Sequence, residues 1–140
     1  MSLNTQLSNL SVNTEANALA ALLNSGFIDV MDGAQPLTAD TALSGQNVLA
    51  TLTLSATAFV GASAGVLTAN AITAGVAGNT GTATWFRAYQ SNYTTVVMDG
   101  TVGVIINQSN LVLSTTAITS GTTVTCSSFQ HTVAKATAGF

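Results

Sequence analysis

GTATWFRAYQSNYTTVVMDGTVG, residues 81–103, is the stretch on which the fold turns. In GTATWFRAYQ the side chains of a strand point alternately to opposite faces. Trp85, Arg87 and Tyr89 then share one face, and Thr84, Phe86 and Ala88 share the other. Neither set is solvent-like, so the segment reads as a central strand with both faces covered. The N-terminal helix or a neighbouring chain is the expected cover. The following SNYT (91–94) reads as a turn and TTVVM (94–98) as the next strand. Tyr93 stands where a tight hairpin favours glycine, because a positive φ is unfavourable for a bulky residue. The turn is therefore expected to exceed two residues, with Tyr93 exposed as a contact.

The same period of two recurs on both sides. FIDVM (27–31), NVLATLTLS (47–55), VLTANAI (66–72), TVGVII (101–106), NLVLSTTAI (110–118) and TTVTCSSFQHTVA (122–134) bring the expected strands to about eight. Connections rich in Gly, Asn and Asp separate them, including the loop AQPLTADTALSG (34–45) and the glycine-rich AGVAGNTG (74–81). DVMDG (29–33) and VVMDG (96–100) echo each other, and both read as a strand ending on an Asp-Gly turn. Many short strands with frequent turns predict a two-sheet antiparallel β-sandwich.

One helix is expected, in NTEANALAALLNSG (13–26). Asn13 or Thr14 would cap it, Glu15 would sit in its first turn, and Gly26 would stop it. Ala16, Leu19, Ala20, Leu22 and Leu23 would form its apolar stripe. The reading divides the chain into an arm (1–12), this helix (13–26), a sandwich (27–134) and a tail (135–140).

Charge is the unusual quantity. Only 5% of the 140 residues are charged while 47% are hydrophobic, against about 25% charged in an ordinary domain. No charged residue occurs from Thr41 to Phe86, and Gly100–Ala134 carries none apart from His131. Soluble monomers use surface charge to resist association. A chain that substitutes Thr, Ser, Asn and Gln is expected to spend its life packed against neighbours, with self-association as a dimer or trimer.

Composition also narrows the function. A net charge of −3 with two Lys/Arg residues provides no basic stripe, so nucleic-acid binding is not expected. The uncharged stretch Val48–Leu67 is interrupted by Thr, Ser and Gly, so no membrane span is expected. Residues 1–13 lack a basic start and an apolar run, so no signal peptide is read there. The single Cys126 excludes an intrachain disulfide and reads as a small buried hydrophobe.

Catalytic signals are weak. His131 is the only histidine, lies in the alternating SFQHTV, and accompanies no GxSxG elbow. Cys126 and His131 supply two metal ligands at no standard spacing. Asp29, Asp32 and Asp40 form no DxDxDG loop and read as turn-capping residues. AGVAGNTG lacks the GK[ST] ending of a phosphate loop. The expectation is a non-enzyme without cofactor or metal. Arg87 is expected to stack on Trp85 or Tyr89 and to fork to Asp99 or Asp32 within the chain. A partner's acidic patch is the alternative.

The phrases FIDVMDGAQP, TADTALSGQNVLATLTLS, GVLTANAIT, GTATWFRAYQ and TTVVMDGTVG, in that order, resemble the cement or decoration proteins of tailed-bacteriophage heads. The similarity runs from about Phe27 to Gly103. It implies a jelly-roll domain on the outer surface of the head, assembled in the host cytoplasm and bound across contacts between major capsid protein subunits. Candidate assembly contacts are Leu3, Leu7 and Leu10 in the arm, Arg87, Tyr89 and Tyr93 around the central strand, and Lys135 and Phe140 in the tail. Arm or tail would add a strand to a neighbour's sheet edge. The alternative function is a receptor- or carbohydrate-binding module of a tail fibre or spike, with Trp85, Tyr89 and Tyr93 stacking on sugar rings.

Overall fold

A computed structural model describes residues 4–136. One helix, α1 (Asn9–Leu22), precedes eleven strands: β1 (Phe27–Met31), β2 (Val48–Thr53), β3 (Val66–Thr68), β4 (Gly75–Val76), β5 (Gly81–Thr82), β6 (Trp85–Tyr89), β7 (Val96–Gly103), β8 (Leu111–Leu113), β9 (Ala117–Ile118), β10 (Thr123–Val124) and β11 (Cys126–Thr132). Seven form one sheet in the order β2-β1-β6-β7-β8-β11-β3, and β10-β4 and β5-β9 form two small pairs. The chain is all-β with one helix, as expected. The sheet is mixed rather than wholly antiparallel, because β7 and β8 run parallel at Val102↔Leu111 and Gly103↔Val112. Parallel neighbours usually need a crossover of a dozen or more residues. Here an overlap of only two residue pairs lets residues 104–110 make the return.

The sheet curls onto itself. β6 and β11 are three places apart, about 14 Å if the sheet were flat. Yet Phe86 of β6 meets Phe129 of β11 edge-on at 5.2 Å between ring centroids, and Phe129 meets Phe59 at 5.3 Å. The enclosed core includes Ile28, Val30, Leu49, Leu52, Leu67, Leu111 and Leu113. This is the sandwich-like layering that the alternation calls for, built from one continuous sheet.

Gly100 makes the closure possible. A Cβ there would lie 2.5 Å from the Phe86 ring, closer than any packed carbon contact. Asp99-Gly100 is thus not the expected turn. It lies inside β7, which runs unbroken through residues read as the end of one strand and the start of another. Asp32-Gly33 does leave its strand, with Gly33 at φ +73°.

The helix begins four residues before the expected start. Ser8, not Asn13 or Thr14, is the cap, its Oγ accepting the Ser11 N–H at 3.1 Å. Residues 9–12 of the expected arm are therefore helical, and Val12 is buried. Glu15 falls outside the first turn, and Leu22 is exposed rather than part of the stripe. Asparagines dock the helix region: Asn13, Asn17 and Asn24 Oδ1 accept the main-chain N–H groups of Gly65, Ala62 and Ala58.

Both outer edges of the large sheet are covered. Segment 73–79 bonds along β2 through Thr53 and Thr73 in both directions, and through Gly78 N–H to the Leu49 carbonyl. Segment 58–63 covers β3 through Val60 N–H to Thr68 and a reciprocal Ser63–Val66 pair. The described parts of arm and tail bond each other, Leu7 N–H donating to the Lys135 carbonyl at 2.7 Å.

Because Phe129 joins the two halves of the curled sheet, Phe129→Ala is expected to lose about 3–5 kcal/mol of stability. Leu10→Ala, at a position 77% exposed, is expected to change stability by less than about 0.5 kcal/mol. Urea unfolding of the two variants beside the parent checks both values.

Candidate interaction site

The outward face of β2, β1, β6 and β7 gathers most of the residues that carry chemistry. Register places Thr51, Asp29, Arg87 and Asp99 in one row across the four strands. Arg87 is 3% exposed. Its Nε donates to Asp99 Oδ1 at 2.7 Å and its Nη2 to Asp99 Oδ2 at 2.9 Å. This two-pronged contact matches the guanidinium fork to the carboxylate. The same guanidinium lies 5.5 Å from the centre of the Trp85 ring, a cation–π stack. The bond to Asp99 raises the arginine's already high pKa, so its charge is fixed.

Of the two acids expected to pair with Arg87, Asp99 does so. Asp32 instead closes the loop after β1, accepting Asn47 N–H at 2.6 Å and Asn47 Nδ2 at 3.2 Å. Those bonds hold its carboxyl below the usual range.

Asp29 is buried beside Arg87 but bonds elsewhere. Its Oδ1 accepts the Thr51 hydroxyl and the Tyr93 hydroxyl, each at 2.7 Å. Burial pushes its carboxyl above the ordinary range, and the two hydroxyls only partly offset this. Tyr93 reaches Asp29 because the β6–β7 turn is longer than two residues, as expected, closed by Gln90 N–H to the Thr95 carbonyl. Asn92 Oδ1 accepts the N–H groups of Thr94 and Thr95. Tyr93 itself adopts φ +55° and folds its ring back against Phe27 at 5.1 Å and Tyr89 at 5.2 Å. Its bonds to the sheet hold the strained backbone in place.

The second face of β6 is covered as expected, but not by the helix, which packs against β3. The loop after β1 supplies cover: Trp85 Nε1 donates to the Asp32 carbonyl at 2.9 Å, Thr84 Oγ1 donates to the Gly33 carbonyl, and Asp40 lies near enough for its charge to act on Arg87. Trp85 is 1% exposed. It is therefore closed to a sugar ring, and Tyr89 is half-buried.

The expected contact residues fall into two places, Arg87, Tyr89 and Tyr93 on this face and Leu7 with Lys135 where arm and tail meet, with Leu10 apart on the helix. Arg87 is a buried member of an internal pair with Asp99. Tyr93 remains 43% exposed. Leu10 and Lys135 are exposed and Leu7 is half-buried, while Leu3 and Phe140 lie outside the described residues. Sequence reading missed the row-mates Asp29 and Thr51, which no motif marks. It also took Val104, Ile105 and Ile106 for strand residues. They follow β7 in a loop and are all more than half exposed.

Cys126 is half-buried, its S–H donating to the Ser128 carbonyl at 3.3 Å, and burial raises its thiol pKa. Burial lowers the pKa of His131. Among the described residues no three His, Cys, Asp or Glu side chains come together as a metal-binding group. No helix of the described residues is long and apolar enough to cross a membrane. Comparison with protein-family models, with curated proteins and with solved structures gave no match.

Asp29 yields a signed pH dependence. Its folded pKa exceeds the ordinary 3.8, so its ionised form is disfavoured by folding above that raised value, and the penalty fades as pH falls through it. Asp29→Asn is expected to be more stable than the parent at neutral pH, with the two converging as pH drops toward 4. Thermal unfolding of both proteins across pH 4–8 checks this. Arg87→Met leaves the Asp99 charge buried alone and is expected to lose about 3–5 kcal/mol, measured by the same unfolding experiment.

Proposed function

We propose that this chain is a structural virion protein that binds the outside of a tailed-phage head and cements contacts between major capsid protein subunits. One observation carries the reading. Among the described residues only three Lys, Arg, Asp or Glu side chains are exposed: Glu15, Asp40 and Lys135. Ten large apolar or aromatic residues are exposed beside them, including Leu37, Val60, Val76 and the run Val104–Ile106. Arg87, Asp99 and Asp29 are paired or covered within the fold, and Asp32, half-buried, is hydrogen-bonded to Asn47. Such a surface lacks the charge that keeps a free protein dispersed, and its apolar part gains by being covered. Broad neutral faces also pack against a shell with little ionic desolvation penalty. Repetition over a lattice multiplies weak contacts by avidity. The resemblance of the phrases between Phe27 and Gly103 to phage cement proteins points the same way.

The exposed surface favours a different set of contacts from the expected one. Val12 is buried, so residues 9–12 serve the fold and only residues before the helix remain for an arm. Val104–Ile106 is the leading contact of this reading, and Arg87 is left to its internal pair with Asp99. Particles lacking the protein are expected to lose integrity at lower temperature than complete ones. Replacing Val104, Ile105 and Ile106 together by serine is expected to weaken binding to stripped heads at least about tenfold, about 1.4 kcal/mol, while circular dichroism stays unchanged. Co-sedimentation with stripped heads measures the affinity. Unchanged occupancy and equal thermal resistance would sink the reading.

A further inference from the structure

The interior of the large sheet contains a gap one strand wide. β7 pairs with β6 from Val96 to Thr101. On its other side β7 meets β8 only at Val102 and Gly103, so from Val96 to Thr101 that edge carries no strand among the described residues. β11 shows the matching gap. It pairs with β8 from Cys126 to Phe129, and Gln130 N–H still donates to the Asn110 carbonyl at 3.0 Å, but at His131 and Thr132 its strand partner is β3 alone. Strands flanking a common neighbour stand two spacings apart, about 9–10 Å. β8 is three residues long and fills that interval at one end only.

An open groove of about 550 Å³ occupies the rest. Met98, Asp99 and Thr101 line one wall, and Gln130, His131 and Thr132 the other. Asn110 closes its end in the manner of a strand. Asn110 Oδ1 accepts Thr101 N–H at 3.4 Å, and Asn110 Nδ2 donates to the Gln130 carbonyl at 3.4 Å. One side-chain amide thus bridges the walls where a peptide group of an added strand would lie. N–H groups of alternate residues share a strand edge, so the Asp99 N–H faces the groove as the Thr101 N–H does.

The groove is also close to neutral. Asp99 is matched by Arg87, burial disfavours the charged form of His131, and the other polar lining side chains are hydroxyls and amides. A lysine or glutamate entering it would be desolvated without a partner.

We propose that this groove takes one extended, uncharged peptide segment of a partner protein as an added strand between β7 and β11. Main-chain bonds to the two walls supply the binding energy, and the neutral lining supplies the selectivity. The inference deepens the assembly reading, resting on it only for the existence of a protein partner.

Amide hydrogen exchange by NMR on the full chain tests it, with an uncharged heptapeptide alternating valine with serine and threonine as probe. In the free protein the Asp99 amide should exchange at least about a hundredfold faster than those of Met98 and Gly100, which face β6. Millimolar probe should slow Asp99 at least about tenfold. The same peptide with a central lysine should not, and Thr132→Lys should abolish the effect while Thr132→Val preserves it. Protection of Asp99 in the free chain would overturn the proposal. Loss of that protection on removing residues 137–140, or on dilution, would assign the groove to the chain's own end or to a second copy. Absence of slowing by the uncharged probe would overturn it equally. No phage head enters the assay, so its failure leaves the shell reading standing, and failure of the head-binding experiment leaves the groove standing.

Discussion

The bond between Arg87 and Asp99 fixes the strand pair on which the rest of the sheet is built. A register slip of one residue between β6 and β7 would send every side chain of one strand to the opposite face. Here it would drive a carboxylate into the core and strand the guanidinium on the outside. Removing one member of a buried pair leaves an uncompensated charge, so the correct register is separated from its neighbours by a large penalty. The adjacent Gly100 works on the other face of β7. Its missing side chain makes room for the Phe86 ring, which then reaches Phe129 across the core. Two consecutive residues thus set the register outwardly and permit the curl inwardly.

That double use explains where the sequence was legible. The alternation of Trp85, Phe86, Arg87, Ala88 and Tyr89 sorted the two faces correctly, and Asp99, one of the two acids nearest by topology, is the partner Arg87 takes. Asp99-Gly100 misled because the same dipeptide that favours turns also suits a strand needing an acid on one face and no side chain on the other. The helix start was missed because residues 9–12 bury only Val12 and leave Leu10 exposed, so no run of core-facing residues marks the first turn. β4, β5, β9 and β10 have two residues each, too few for any period to register. The parallel β7–β8 contact has no local signature, since it depends on how far the sheet curls. Asp29 and Thr51 joined the site only through register, which composition does not encode. The proposed place on a phage head lies outside what fold and register decide and rests on surface character and on a resemblance of sequence phrases.

Most of the chain's few charges are used inside the protein. Arg87 and Asp99 lock a strand pair, Asp29 anchors the Tyr93 turn, and Asp32 closes the following loop. Little charge is left to discourage association. The protection that other β-proteins obtain from edge lysines comes here from main-chain cover, with segments 73–79 and 58–63 lying along the two outer strands. Closure of the rims removes the least selective route to association, open-edge stacking.

The irregular part of the surface is thereby confined to places with a definite shape. Val104–Ile106 and the interior gap between β7 and β11 share one cause, the chain leaving the sheet after Gly103 and returning as the short β8. Residues 104–110 must bulge outward to make a parallel return within seven residues, which exposes the apolar run. The same detour vacates the position beside Val96–Thr101 that a longer β8 would fill. A single topological irregularity, permitted because β7 and β8 overlap by only two residue pairs, therefore generates both the exposed apolar loop and the unfilled strand position. On the proposed reading, a sparsely charged protein that binds neighbours without stacking edge to edge is served by that combination: covered rims, and one irregular region with a definite shape.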